Sequence, residues 1–264
     1  MRSGLVVASL PVVLLAVSCM GGSMEDPCGR TPSLEPTPPA GLARLLEGRV
    51  FFGHQSVGQN LIEGMTEAAR GWNVAGFAPV EGRAAGPDAP RFLHAAIGEN
   101  DDPLGKIRDF DAIVRSGVGQ GVGLAFMKLC YADLRAGADV GAVFAVYRDT
   151  LARLAADFPR TTFVHVTVPL ERRDTGPKPW LKRLLGRPVR GYEDNDAREA
   201  YNDLLRQEYG GSGRLFDLAQ LEAAGAATPR ALCPGFTDDG GHLNATGRRI
   251  LGAKLLAFLA GQAR

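Results

Sequence analysis

Two short segments, far apart in the chain, carry residue types that could act together on a bond. In the first, Gly53-His54-Gln55-Ser56-Val57-Gly58, Ser56 follows the run Arg49-Val50-Phe51-Phe52, and the apolar residues Leu61, Ile62 and Met65 then return at helical spacing. That order puts the serine in a turn between a strand and a helix. Its hydroxyl would stand at the carboxyl edge of the strand, beside unpaired N–H groups able to hold an oxyanion. The plainer reading is a helix N-cap. In the second segment, Thr237-Asp238-Asp239-Gly240-Gly241-His242-Leu243-Asn244, two glycines separate Asp239 from His242, so a turn can fold the carboxylate back onto the imidazole. A carboxylate that fixes a histidine tautomer, with the histidine deprotonating a serine, makes a nucleophile at neutral pH. Asp238 is open to the same role as Asp239. An ordinary polar turn is the plainer reading here too. Metal binding is disfavoured, because no second histidine lies at ligand spacing and the chain has 4 histidines in all.

The elements that would position these segments alternate. Weak strand character over 72–80 is followed by a helix over 104–114 that Asp102-Pro103 introduces, and then by a continuous apolar run over 122–129 suited to a buried strand. A helix over 150–158 precedes the clearest strand, 162–168; a helix over 196–209, a short strand over 214–218 and a helix over 245–259 complete the chain. Alternating strands and helices predict an α/β domain with a parallel sheet covered on both faces, whose ligands bind at the carboxyl ends of the strands.

Composition sets the bounds. The chain has 264 residues, 45% hydrophobic and 22% charged, with a net charge of +1, which fits one globular domain and argues against nucleic acid or an anionic membrane as the main partner. Four cysteines without a C-x-x-C pair exclude a disulfide scaffold and a zinc ribbon. An apolar run over 5–17 behind Arg2 is signal-peptide length and too short for a membrane span of roughly twenty residues. It ends in Leu15-Ala16-Val17-Ser18-Cys19, which resembles a lipobox with Ala16 where leucine is usual, so Cys19 is the expected lipidation site and plain secretion the alternative. The expectation is therefore an export signal over 1–18, a proline-rich tether over 19–41 and one domain over 42–264, placed in the cell envelope on the periplasmic or outer surface. At most one disulfide can form among Cys28, Cys130 and Cys233.

A serine after the first strand, and Asp-x-x-His before the last helix of an α/β domain, resembles the SGNH/GDSL hydrolase superfamily across nearly all of residues 48–260. The resemblance implies a three-layer α/β/α sandwich with a five-stranded parallel sheet of flavodoxin-like order. It also implies roles: Ser56 as nucleophile, His242 as general base and Asp239 as its orienting carboxylate. In that superfamily the oxyanion is held by the nucleophile's own N–H, a glycine N–H after the second strand and an asparagine side chain after the third. Gly98, in Ile97-Gly98-Glu99-Asn100, matches the glycine. The third position reads Lys128-Leu129-Cys130-Tyr131-Ala132-Asp133 without an asparagine, leaving Tyr131, Lys128 and Asn100 as alternative donors. The usual Gly-Asp-Ser is replaced by Gly53-His54-Gln55-Ser56, so His54 and Gln55 are either structural substitutes or new contacts.

The implied activity is that of a secreted serine esterase or acylhydrolase, acting on an acyl or acetyl ester of a polysaccharide or other envelope component. It needs no metal or organic cofactor and touches the membrane only through an N-terminal lipid. The competing expectation is a catalytically impaired glycan-binding lipoprotein of the same fold. Several features stand outside both schemes. The glycines of 116–123 miss dinucleotide-binding spacing. Asn244 reads as a helix cap, and His94 and His165 as core residues. Lys178, Lys182, Arg183, Arg187 and Arg190, interleaved with Trp180, Leu181, Leu184 and Leu185, form an insertion expected at the rim of the site as a lid, a membrane contact or a grip on an acidic glycan. Asn195, Arg198, Tyr201 and Asn202 make one polar helical stripe facing either that rim or water.

Overall fold

The computed structural model describes residues 37–84, 90–224 and 230–263. The signal and lipidation readings, with Cys19 and Cys28, lie outside the described residues. In chain order the elements are α1 (Leu42–Glu47), β1 (Val50–His54), α2 (Val57–Gly71), β2 (Pro79–Glu81), β3 (Phe92–Ala96), α3 (Pro103–Ile113), α4 (Gly119–Gly121), β4 (Leu124–Met127), α5 (Val140–Asp157), β5 (Thr162–Val166), α6 (Pro177–Leu184), α7 (Glu193–Tyr209), β6 (Leu215–Phe216), α8 (Leu218–Glu222) and α9 (Ala245–Gln262).

The strands form one sheet in the order β2-β3-β1-β4-β5-β6, and its pairings are parallel. Six strands replace the five expected. Of 72–80 only the last residues pair, at the sheet edge, while the strand beside β1 is Phe92-Leu93-His94-Ala95-Ala96, which the sequence reading passed over. Two alanines and a histidine give that segment little intrinsic β character, and it extends because its neighbours bury it. Without the β2 edge, the order is the 2-1-3-4-5 of flavodoxin-like sheets, with β1 at the switch point where the chain changes direction and where such folds place their ligands.

β1 is buried along its whole length, so its apolar run is continuous rather than alternating. Phe52 stacks on Phe126 at 4.3 Å in the core layer shared with α1, α2, α8 and α9, and Phe51 meets Phe110 at 5.8 Å in the layer shared with α3, α5 and α7. The sheet thus lies between two helical layers. One crossing in the first layer matters for the site: a methyl added at Gly64 of α2 would fall 1.9 Å from the Arg248 carbonyl oxygen of α9, and one at Gly252 would fall 2.4 Å from the Gly64 carbonyl carbon. Glycine on both helices lets their backbones touch. The N-terminal ends of α2 and α9, which carry Ser56 and the Asp239–His242 loop, are drawn together by that contact.

Candidate active site

Ser56 sits between β1 and α2 at φ 52°, one of four non-glycine residues with positive φ among the described residues. Such backbone costs about 1–3 kcal/mol and persists only where the surroundings fix it. The fixing residue is Gln55. Its Nε2 donates to the Ile97 carbonyl at 2.8 Å and to the Gly98 carbonyl, tying the turn to the loop after β3. The Ser56 side chain makes no capping bond to α2, so the N-cap reading is set aside. Its Oγ lies 2.6 Å from His242 Nε2.

His242 Nδ1 lies 2.7 Å from Asp239 Oδ2. A carboxylate only accepts, so Nδ1 carries the proton and Nε2 is left to accept from Ser56. Asp239 Oδ1 also accepts the backbone N–H groups of Gly241 and His242, both at 2.8 Å, and the Thr237 hydroxyl at 3.3 Å. Partial burial alone would raise its pKa; the N–H donors and the imidazole outweigh it and hold the carboxyl below the usual carboxylate range. The choice between the two aspartates is settled by geometry. Asp238 Oδ1 accepts instead from Asn244 Nδ2 at 3.2 Å, while Asn244 Oδ1 caps α9 through the Gly247 N–H at 3.0 Å.

Supports unread from the sequence complete the loop. Asn60, one helical turn after Ser56, accepts the Leu243 N–H at 3.2 Å, and Arg190 Nη1 donates to the Asp239 carbonyl. Tyr131 packs its ring edge-on to His242 at 5.8 Å, and a methyl on Gly241 would meet that ring at 2.9 Å. Arg198 holds Tyr131 from behind, donating to its carbonyl at 2.8 Å and to Glu171 at 2.9 Å. The polar stripe of α7 is therefore inward: Asn195, Arg198, Tyr201 and Asn202 are all buried, and Asn195 and Asn202 bind the backbone of Glu171 and Val168 after β5. Tyr131, Arg135, Glu171, Arg190, Asp194 and Arg198 line a cavity of about 190 Å³ beside this loop.

The other side of Ser56 departs from expectation. The Gly98 N–H donates to Asp109 Oδ2 at 2.8 Å, so it is occupied rather than presented to a ligand. The glycine is required for another reason, since at φ 47° its missing Cβ would press on the Lys106 backbone at 2.8 Å. Asn100 turns its Oδ1 to Lys106 Nζ at 2.8 Å. Lys128 is buried, with Nζ 3.3 Å from the Leu129 carbonyl and 3.5 Å from Cys130 Sγ, and does not reach the cleft. His54 is also inward: its Nε2 lies 3.0 Å from His94 Nδ1, and burial, then the Lys128 charge, then His94, bring its pKa down to about 3. His54 and Gln55 thus both bond within the protein, His54 to His94 and Gln55 to the loop after β3. Lys106 and Asp133 form a wholly buried ion pair at 2.8 Å, and Asp133 also takes the N–H groups of Cys130 at 2.6 Å and Asp101 at 3.1 Å. Of the alternative donors only the Tyr131 ring borders His242. Within the described residues the Ser56 N–H has no acceptor, and it opens the first turn of α2, where helical N–H groups are unpaired.

No protein-family model matches the chain, and no curated protein matches it. Among solved structures the chain is similar to a Streptococcus pneumonia protein described as a candidate platelet activating factor, at 13% identity and TM-score 0.50, over 83% of this chain and 91% of that one. It is also similar to a lipolytic protein of the G-D-S-L family from Desulfitobacterium hafniense, at 8% identity and TM-score 0.45, over 82% and 99%. A third likeness, to a peptidoglycan O-acetylesterase, has 14% identity and TM-score 0.43 over 66% of this chain and 47% of that one. At such identities the likeness is one of fold, and the fold is the α/β architecture that the motif resemblance implied.

Proposed function

We propose that the chain is a divergent SGNH/GDSL-type serine esterase, with Ser56 as nucleophile, His242 as general base and Asp239 as the carboxylate that holds His242. The carrying observation is the unbroken hydrogen-bond relay from Ser56 Oγ through His242 to Asp239 at the switch point of the sheet. Ser56 Oγ attacks an ester carbonyl carbon while its proton passes to His242 Nε2. The tetrahedral oxyanion is met by the Ser56 N–H and the first turn of α2. Collapse expels the alcohol, which takes the proton from His242, and water then frees the acid by the same steps in reverse order. The substrate class is an acyl or acetyl ester of an envelope component, for which the exposed relay leaves an open approach. Export to the envelope, with a lipid on Cys19, is part of the same proposal. A disulfide at Cys233, beside a free and buried Cys130, favours an oxidising compartment.

A second reading, a non-catalytic glycan-binding protein, draws on the occupied Gly98 amide and the missing asparagine. A fluorophosphonate probe separates the two. Labelling that disappears in Ser56→Ala, together with hydrolysis of p-nitrophenyl acetate, is the expected result; a folded protein that neither labels nor hydrolyses overturns the esterase reading. In a wash at roughly 1 M salt, which screens surface charge pairs, Cys19→Ala is expected to release the protein from the membrane fraction while the parent stays.

A further inference from the structure

The insertion between β5 and α7 is both basic and apolar on its surface. Residues 175–192 contain Lys178, Lys182, Arg183, Arg187 and Arg190 and no acidic residue. α6, inside this insertion, buries none of its residues. Trp180 is 64% exposed, Leu181 49%, Leu184 68% and Leu185 60%, and among the described residues only Val80 and Val146 join them as large exposed hydrophobics. At 3.6 residues per turn these four side chains share one side of the helix, while Lys178, Lys182 and Arg183 take the other.

The patch grows from the rim of the site. Asp174 N–H donates to the Arg190 carbonyl at 3.3 Å and Arg173 Nε to the Gly191 carbonyl at 2.8 Å, which closes the base of the insertion. That base is pinned to the Asp239 loop by the Arg172 N–H on the Gly240 carbonyl at 2.8 Å and by Arg190 on the Asp239 carbonyl. The Arg183 guanidinium lies 4.0 Å over the Tyr192 ring. The apolar helix and the Ser56–His242–Asp239 relay thus lie along one edge, joined through Arg172 and Arg190.

We propose that α6 is an interfacial anchor that seats this edge on an anionic lipid bilayer, so that the ester presented to Ser56 is one carried at the membrane surface. The substrate half of this inference rests on the esterase reading; the membrane half does not. An amphipathic helix with Trp and Leu on one side and Lys and Arg on the other buries its apolar side at the headgroup–acyl boundary and pairs its cations with anionic headgroups. An acidic glycan would satisfy the cations and leave Trp180 and the leucines in water. A second copy of the chain would bring like charge against like.

The test uses the full chain with Cys19→Ala, so that no lipid is attached there, and vesicles of phosphatidylcholine with or without phosphatidylglycerol. Expected are sedimentation with the phosphatidylglycerol vesicles and a blue shift in tryptophan emission that Trp180→Phe removes. Binding should be lost in roughly 1 M salt, where the screening length is about 3 Å. Lys178→Gln and Lys182→Gln should each weaken it about fivefold. Leu184→Asp with Leu185→Asp should abolish vesicle binding and leave hydrolysis of soluble p-nitrophenyl acetate unchanged. Equal binding to both vesicle types, or binding undiminished by the aspartate pair, overturns the proposal. So does retention on a soluble acidic polysaccharide without vesicle binding, or a dimer that the aspartate pair dissolves. Should Ser56 prove unreactive while vesicle binding follows this pattern, the esterase reading fails and the anchor stands.

Discussion

The two flanks of Ser56 differ in what their polar atoms face. On the α9 side they point into the cleft: Asp239 orients His242, His242 reaches Ser56, and Tyr131 walls the pair. On the side of β3 and β4 they point into the protein: the Gly98 N–H is taken by Asp109, the Asn100 side-chain oxygen by Lys106, and Lys128 by its own loop. On the proposed esterase reading, activating the nucleophile and stabilising the oxyanion are therefore separate tasks. The first has its full set of parts. The second, on that reading, would rest on Ser56's own N–H and the start of α2 rather than on a glycine and an asparagine.

The contrast breaks most sharply at the relay. Ser56→Ala or His242→Ala is expected to lower kcat by about 10⁵–10⁶-fold on p-nitrophenyl acetate, and Asp239→Asn by about 10⁴-fold, because the wrong tautomer leaves Nε2 without its lone pair for Ser56. Asp238→Asn, which disturbs only the contact to Asn244, should stay within about twofold. Equal losses at the two aspartates would erase the distinction drawn between them. On the inward flank the largest effect is on stability. Lys106→Met leaves Asp133 charged and buried without its partner and should cost about 3–5 kcal/mol in urea denaturation.

The sequence made the α9 flank readable because its parts are local: Asp239, two glycines and His242 lie within one turn, and Asn244 caps the helix that follows. The two helical layers and the parallel sheet were readable too, since strands such as Thr162–Val166 carry continuous apolar runs. The inward flank was not. Gly98 was assigned to the oxyanion from the resemblance of Ile97-Gly98-Glu99-Asn100 to the superfamily's glycine position, but its amide is claimed by Asp109, eleven residues away, a pairing no spacing rule marks. The buried Lys106–Asp133 pair joins α3 to the turn after β4, which meet because β3 and β4 both flank β1. Phe92–Ala96 was missed as a strand because burial, not composition, extends it. The stripe on α7 was seen, but its direction was not, since a row of Asn and Arg facing inward is recognised only by the backbone it binds.

A smaller effect sharpens the comparison by testing what the Gly98 amide does. Asp109→Ala removes a charged acceptor, and its loss should cost about 1.5–3 kcal/mol of stability. With the amide freed, kcat should stay within about threefold. A loss of 10²-fold or more in a folded variant, the size typical of a missing oxyanion donor, would mean that Asp109 positions a group the reaction uses, and the two flanks would no longer be separate.

The mildest expected effect is on how stability varies with pH, and it comes from buried titratable groups outside the relay. Burial raises the Glu222 pKa from 4.5 to about 8, against the Leu170 N–H bond and the charges of Lys128 and Arg198, which lower it. Between those values the folded chain holds a proton that the unfolded chain has released, so stability falls as pH rises through that window. His54 and His165 act oppositely. Burial brings both to about 3, so below 6.5 the unfolded chain takes up protons that the folded one refuses, and stability falls as pH drops. The three groups together place the maximum near pH 6.5. Glu222→Gln keeps an acceptor for the Leu170 N–H but has no proton to lose, so urea denaturation at pH 6.5 and above 8 should show a decline of about 1–2 kcal/mol in the parent and little in the variant. Parallel declines would mean that Glu222 is already ionised at pH 6.5, held by Lys128. The Lys128 charge would then be close enough to keep a buried carboxylate ionised without a direct ion pair.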